Sequence, residues 1–225
     1  MHLSSVNQLA LRTSLPVMFG YLPLGIAFGM LFTELDHHWL YATAMSLFMY
    51  AGAGQFLAVG LLANQAGLLE MVIATLLLNA RHIFYGLSLV KGLKNRGWRR
   101  WYQIFSLTDE TYSLLSSTSV PSNIDEGKLQ FRLAAFNHAY WVLGCTIGAF
   151  IGSQMSFSTA GIEFVLPALF MVLTIEQYKH IREPWPFWLA LSIGLGTLLL
   201  ISRDHMLLIA ILLSLCVLMM QRASR

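Results

Sequence analysis

Arg81 is the residue of this sequence best placed to do chemistry. Deep inside the apolar segment from residue 67 to residue 90 lie the strongly polar side chains Asn79, Arg81 and His82, with Tyr85 one turn on. Arg81 precedes Lys91 by ten positions, so at helical rise it lies roughly 15 Å from the segment's end, near the middle of a bilayer. Arginine is tolerated there only where it faces a partner or a water-filled path. We therefore predict an anion or carboxylate site, with snorkelling or a structural ion pair as the alternative.

The neighbours of Arg81 extend this predicted site. Tyr85 follows Arg81 by four positions and His82 by three, so on a helix it can share a face with either one. His82 is a candidate for carrying a coupling proton, because imidazole titrates near neutral pH. The alternative is that it is a hydrogen-bonded structural residue.

A second group of candidates lies where residues 51–56 interrupt an apolar run. Gly52 and Gly54 flank a position where a spanning helix can unwind, and Gln55 adds an amide. A half-helix that begins there would attract a carboxylate to its N-terminus. The alternative for the two glycines is close packing between helices.

Asp109 and Glu110 are the candidate acids. They lie in a weakly apolar piece, residues 103–118, which we interpret as a helix at the membrane interface or dipping into the bundle. Either acid could balance Arg81, receive an ammonium group or carry a proton. Because adjacent residues point to different sides of a helix, only one is expected to face inward. The alternative is that both cap and solvate an interfacial helix.

The fourth apolar run begins with a polar and aromatic cluster. It contains Asn137, His138, Tyr140 and Trp141. We predict that Asn137 and Tyr140 line a substrate path. The alternative assigns the aromatic residues to the belt at the membrane boundary.

Composition places the chain in the membrane. Of its 225 residues, 56% are hydrophobic and 11% are charged, whereas soluble proteins carry about 25% charged residues. The apolar runs are too long for barrel strands, so we predict an all-α integral membrane protein. The spacing of Cys145 and Cys216 predicts no disulfide framework or metal site. No nucleotide-binding or metalloprotease motif is apparent, and we expect a non-enzyme without a cofactor.

Apolar runs of spanning length predict about seven transmembrane helices. They cover residues 13–33, 39–64, 67–90, 133–151, 158–178, 185–202 and 205–220. With seven crossings, most lysines and arginines collect on one side, which places the N-terminus outside and the C-terminus in the cytoplasm. The competing interpretation makes the second run a re-entrant hairpin, which moves only Arg12 to the inside.

A weak similarity of residue spacing between two parts of the chain, called the internal echo below, predicts a repeat. The spacing of Tyr21, Gly25 and Gly29 recurs in Tyr140, Gly144 and Gly148. We predict a 3+3 inverted repeat plus one helix, with broken helices near the midplane. One transporter domain, residues 1–225, then comprises repeat 1 (about 13–90), a cytoplasmic or interfacial segment (91–132), repeat 2 (about 133–202) and a final helix (205–221).

In combination, these motifs resemble the large subunit of the AzlC-type (azaleucine-resistance) branched-chain amino acid exporters. The residues that carry the resemblance are Pro23–Gly25, Ala51–Phe56, Asn79–His82 with Tyr85, and Thr108–Glu110. The resemblance spans most of the chain and is strongest from about Pro16 to Glu110. It implies export of valine, leucine, isoleucine or methionine across a bacterial inner membrane, together with a small AzlD-type membrane subunit.

The expected mechanism is proton-driven antiport by alternating access around a midplane site. A zwitterion with an aliphatic tail needs a cation or helix end, an acid or carbonyls, and an apolar pocket. The candidate residues supply the cation or helix end and the acid. A channel for small ions or metal cations is the main alternative, and a membrane-embedded enzyme is a third.

Overall fold

All regular structure in the described part of the chain is α-helical, which confirms the predicted class. The computed structural model describes residues 3–79, 92–154, 164, 168, 171, 174–175, 178, 184–200 and 206–223. The helices are α1 (Leu3–Thr33), α2 (Trp39–Phe48), α3 (Gly52–Ala63), α4 (Leu68–Asn79), α5 (Trp98–Phe105), α6 (Asp109–Ser117), α7 (Glu126–Gln154), α8 (Trp185–Leu200) and α9 (Met206–Ala223).

The chain divides into two compact units. Unit 1 comprises Met1–Phe56 and Asn79–Val165, and unit 2 comprises Leu57–Leu78 and Leu166–Arg225. In unit 2, α8 packs against α9. In unit 1, α1 packs along α7, and the stretches Ser5–Thr33 and Glu126–Gln154 are each long and apolar enough to cross a bilayer.

Helices α1 and α7 lie side by side and run in the same direction. Near their beginnings, Val6 and Ala10 form one apolar cluster with Leu129 and Leu133. Close to their other ends, a Cβ atom added at Gly152 would lie 3.2 Å from the Met30 Cα. The order of contacts along both helices is therefore the same, and the packing is parallel.

Glycines allow this close approach. A Cβ atom added at Gly25 would lie 3.1 Å from the Gly144 Cα, and one added at Gly148 would overlap the Ile26 carbonyl. Small residues at such positions let two helix backbones approach within van der Waals contact, as in the helix pairs of membrane proteins.

The parallel packing does not confirm the predicted seven crossings or the inverted repeat. In that prediction two crossings separate the first run from the fourth, which makes the corresponding helices antiparallel. The structure needs an odd number of crossings between α1 and α7 if both span the bilayer. This difference from the predicted direction arises in the second apolar run, which turns back on itself.

The second run forms a break between α2 and α3 instead of one continuous helix. Helix α2 descends antiparallel to α7, because Thr43 contacts Thr146 and Tyr50 contacts His138. Tyr50 has a positive φ of 42°. After Tyr50 the chain reverses, and the Phe56 ring packs against Phe28 of α1 at 5.7 Å between centroids. Residues 39–56 thus follow the competing hairpin interpretation, and a broken helix is present at the predicted place.

The N-terminus lies at the same end of unit 1 as basic residues of the central segment. Lys94 pairs with Glu126 at 3.8 Å, and Asn95 donates to the Gly127 carbonyl at 2.6 Å. These residues surround the start of α7, beside the start of α1. The predicted placement of the N-terminus on the opposite side of the membrane from the basic segment is therefore not confirmed.

Asp125 caps α7, and its removal is expected to destabilise the helix start. Its Oδ1 accepts a hydrogen bond from the Lys128 N–H at 3.0 Å, and this bond, with the Lys128 charge, lowers the pKa of the carboxyl. Asp125→Ala should cost about 1 kcal/mol. Since the pKa is lower in the folded state, the contribution is present above the unfolded pKa and fades as pH falls through the folded value. Thermal unfolding of wild type and Asp125→Ala in detergent, at pH 7 and at pH 3, measures the loss of stability and its pH dependence. Equal shifts of the melting temperature at the two pH values would contradict the role of the Asp125 carboxylate as a cap.

Candidate functional site

The break between α2 and α3 meets the middle of α7. A Cβ atom added at Gly52 would lie 3.1 Å from the Trp141 ring, so the indole packs closely against this backbone. The Trp141 Nε1 donates to Gln55 Oε1 at 2.8 Å. Gln55 is fully buried, and its Nε2 has no hydrogen-bond partner within the described ranges. An amide donor and the first turn of α3 are therefore available to an acceptor at this place.

Tyr21 connects this break to an acid. Its ring packs edge-on against Trp141 at 5.4 Å, and its hydroxyl donates to Glu110 Oε2 at 2.6 Å. Tyr21 lies two residues beyond the centre of the stretch Ser5–Thr33, about 3 Å along the helix. The carboxylate of Glu110 consequently reaches the middle of α1, while the residue as a whole is exposed on the surface of the described structure.

Helices α5 and α6 present this acid because the chain bends between them at Ser106–Thr108. Thr108 caps α6 by accepting from the Thr111 N–H at 3.2 Å, and its hydroxyl also lies 2.8 Å from the Tyr21 hydroxyl. The predicted helix is thus two short helices, and the second one contacts the bundle. Of the two candidate acids, Glu110 contacts α1, and Asp109 is half-buried beside it.

Asn137 joins the same cluster from α7. It is fully buried, its Nδ2 donates to Thr111 Oγ1 at 3.0 Å, and its Oδ1 has no hydrogen-bond partner among the residues described. Unpaired buried amide groups are costly in a natural protein and call for an explanation such as a ligand. Asn137 and Gln55 therefore each offer one unused polar atom in the same layer of unit 1.

The remaining predicted site residues fall elsewhere. The Tyr140 hydroxyl is 3.1 Å from Ser14 Oγ, a contact that links α1 to α7. A Cβ atom added at Gly54 would lie 3.0 Å from Asn79 Nδ2, so these two residues are neighbours. Arg81, His82 and Tyr85 lie outside the described residues.

Sequence reasoning missed Tyr21, Tyr50 and Trp141 as members of the site. Trp141 was open to assignment to the aromatic belt because its apolar run was taken to begin at residue 133. Helix α7 begins at Glu126, so Trp141 lies one residue past its centre. Extending the helix back to its cap at Asp125 would have placed this indole in the bilayer middle.

The cluster combines donors and acceptors in a way that suits a zwitterion. The first turn of α3 carries the positive end of a helix dipole, which favours an anion. Glu110, by contrast, offers an acceptor with negative charge. The Trp141 indole lies between them, because it contacts Gln55 of α3 and the Tyr21 ring, whose hydroxyl donates to Glu110.

Comparison with known proteins places the chain among membrane transport proteins. The model of the AzlC protein family matches residues 16–155. The branched-chain amino acid transport protein AzlC of Bacillus subtilis is 34% identical over 88% of this chain and 78% of its own length. A membrane protein of Helicobacter pylori is 41% identical over 93% of this chain and 92% of its own. Inner membrane protein YgaZ of Escherichia coli is 31% identical over 75% of this chain and 72% of its own length. No solved structure matches the chain.

Proposed function

Because the chain belongs to the AzlC family, we propose that it exports branched-chain amino acids across a bacterial inner membrane. Valine is the first expected substrate, with leucine, isoleucine and methionine as others. The similar protein of Bacillus subtilis is a branched-chain amino acid transport protein. The observation that carries the proposal is the polar cluster around a broken helix, in which Gln55 and Asn137 are buried and the exposed Glu110 reaches in to the Tyr21 hydroxyl, because a zwitterion needs both a donor and an acceptor.

We assign the substrate's carboxylate to the start of α3. Gly52 and Gly54 let Trp141 and Asn79 pack closely against that backbone, and Gln55 Nε2 adds a donor. Arg81 is proposed as a further partner of the carboxylate, with Asn79 and Tyr85 beside it. The substrate's ammonium group is assigned to Glu110, and Asn137 Oδ1 supplies a second acceptor.

Export is proposed to be antiport against protons, by alternating access around this site. A small AzlD-type membrane subunit is the proposed partner, which makes the active exporter a hetero-oligomer. His82 and Asp109 remain proposed proton carriers, and the site requires no metal or cofactor.

Valine efflux measures this function directly. Cells or proteoliposomes that contain the chain, with and without the small subunit, are loaded with labelled valine, and wild type is compared with Arg81→Ala at equal abundance. We expect wild type to release valine faster than empty vesicles and Arg81→Ala to fall to that background. Equal release with and without the wild-type protein would refute the exporter assignment, and unchanged release by Arg81→Ala would remove Arg81 from the path.

The membrane orientation of unit 1 is proposed from its charge. Lys94 and Lys128 lie at the end where α1 begins, and cytoplasmic loops carry the excess of lysine and arginine. The start of α1 and the residues around Lys94 and Lys128 are therefore assigned to the cytoplasmic side, and the C-terminus also remains assigned there.

An N-terminal reporter distinguishes this orientation from its opposite. A green fluorescent protein fused before residue 1 is expected to fluoresce, and alkaline phosphatase at the same place is expected to be inactive, because the latter folds only in the periplasm. A phosphatase inserted after Asp36, in the loop at the other end of α1, should be active. The reverse pattern at the two places would overturn the orientation.

A further inference from the structure

His138 is an ionisable side chain buried in the middle of a spanning helix. It lies two residues before the centre of α7, about 3 Å along the axis, and is 6% exposed. An ionisable group at that depth is costly, and in membrane proteins such groups mark ion or proton pathways. The other described histidines, His37 and His38, are exposed in the loop before α2.

The imidazole contacts side chains of α5 and of the break between α2 and α3. Its Nδ1 lies 2.9 Å from the Tyr102 hydroxyl of α5. The Tyr50 ring lies 4.3 Å from the imidazole, centroid to centroid, and the Phe105 ring lies 5.8 Å away. Burial raises the pKa of Tyr102, so its hydroxyl stays protonated near neutral pH. Such a hydroxyl can donate to a neutral imidazole or accept from a protonated one.

The other edge of the ring faces the end of α2. The Tyr50 ring, two residues past the end of α2, lies 4.3 Å from the imidazole, and the N–H groups of Met49 and Tyr50 both donate to the carbonyl of Met45. The last carbonyls of a helix carry its negative partial charge. The imidazole Nε2 is buried without a direct hydrogen bond within the described part of the chain. Protonation of His138 would therefore place a positive charge against the negative end of α2.

The break thus presents two oppositely charged ends to one face of α7. The negative end of α2 faces His138, and the positive end of α3 lies beside Trp141, three residues later. The titratable groups around the ring are Tyr50 and Tyr102, and Glu110 lies beyond Tyr50, on the Tyr21 hydroxyl. An imidazolium at His138 and a carboxylate at Glu110 would attract each other through a low-dielectric interior.

We propose that His138 is the proton-binding site of the transport cycle, an inference that rests on the proposed function. In the empty carrier the proton on His138 is balanced by the Glu110 carboxylate and by the end of α2. When an amino acid binds, its ammonium group neutralises Glu110, and the imidazolium loses that counter-charge. The proton then leaves Nδ1 or Nε2 as H⁺, so each bound zwitterion exchanges for one proton.

Proton binding is measured without transport, by NMR of the full chain with ring-labelled histidine in nanodiscs. A ring signal that titrates between about pH 5 and pH 8 and disappears in His138→Gln is expected. Saturating valine should release that proton and move the titration to lower pH. Tyr102→Phe keeps the imidazole and should keep a titrating signal at a changed pH. A His138 ring that does not titrate in this range, or one that valine leaves unchanged, would overturn the proposal.

Transport assays distinguish a failure of the proposed proton site from a failure of the proposed function. In proteoliposomes with the small subunit, His138→Gln should lose more of its gradient-driven accumulation of valine than of its valine counterflow. Its accumulation of valine driven by a pH gradient should fall at least tenfold. His37→Gln, an exposed histidine, is the matched control and should match wild type in both assays. Gradient-driven accumulation by His138→Gln at the wild-type level would refute the proton site, whereas absence of valine movement in wild type would refute the proposed function.

Discussion

Replacement of Glu110 by glutamine is expected to slow valine efflux by about 10- to 150-fold. Hydrogen bonds to charged groups contribute about 1.5–3 kcal/mol, and each 1.4 kcal/mol is about tenfold in affinity. Glutamine is nearly the same size but carries no charge, so the substrate's ammonium group would lose its counter-ion. Tyr21, which donates to Glu110 Oε2 at 2.6 Å, would keep an acceptor in the amide oxygen. The measurement is initial efflux of labelled valine at several internal concentrations.

Glu126→Gln is the matched control for this experiment. Glu126 is a partly exposed acid that pairs with Lys94 at 3.8 Å on the surface of unit 1, and exposed ion pairs contribute little. Its replacement should leave efflux within about twofold of wild type. Tyr21→Phe, which removes a neutral donor, should reduce efflux less than Glu110→Gln. Efflux by Glu110→Gln that equals the control would exclude Glu110 from the ammonium site.

The helical class and the approximate place of the site follow from the sequence because both depend on burial of polar groups. Long apolar runs without alternation exclude barrel strands, and polar residues at membrane depth demand partners. Gln55, Glu110 and Asn137 were predicted on this basis, and the structure gathers all three into one cluster with Tyr21 and Trp141.

The number of crossings could not be predicted in the same way, because hydropathy measures apolar length and not direction. The run from residue 39 to residue 64 is long enough for one crossing, and also for two half-helices that return to the same side. The choice depends on a local backbone feature, the positive φ of Tyr50. A non-glycine residue in that region is uncommon, and its type gives no indication of it.

The internal echo stays a prediction as a repeat. Gly25 and Gly144, which the echo makes equivalent, lie against each other in the parallel helices α1 and α7. Small residues at the same spacing in both helices let the two backbones approach closely.

Replacement of Gly148 by alanine is expected to destabilise the contact between α1 and α7 more than any conservative change on the surface. The new methyl group would overlap the carbonyl of Ile26, which belongs to a backbone and cannot rotate away as a side chain can. Overpacking costs about 1–3 kcal/mol even where side chains yield. The helices must therefore separate along the stretch that includes Gly25 and Gly144. Melting of the purified protein in detergent, and its abundance in the membrane, measure the effect.

Gly20→Ala, in α1, is the control. A Cβ atom added at Gly20 meets nothing within 4 Å. Alanine is favoured over glycine in a helix interior by about 1 kcal/mol, so this variant should melt at or above the wild-type temperature. A Gly148→Ala protein as stable as Gly20→Ala would mean that the two helices do not touch at this level. In that case the parallel packing of α1 and α7, and with it the placement of Tyr21 and Glu110 against Trp141, would be wrong.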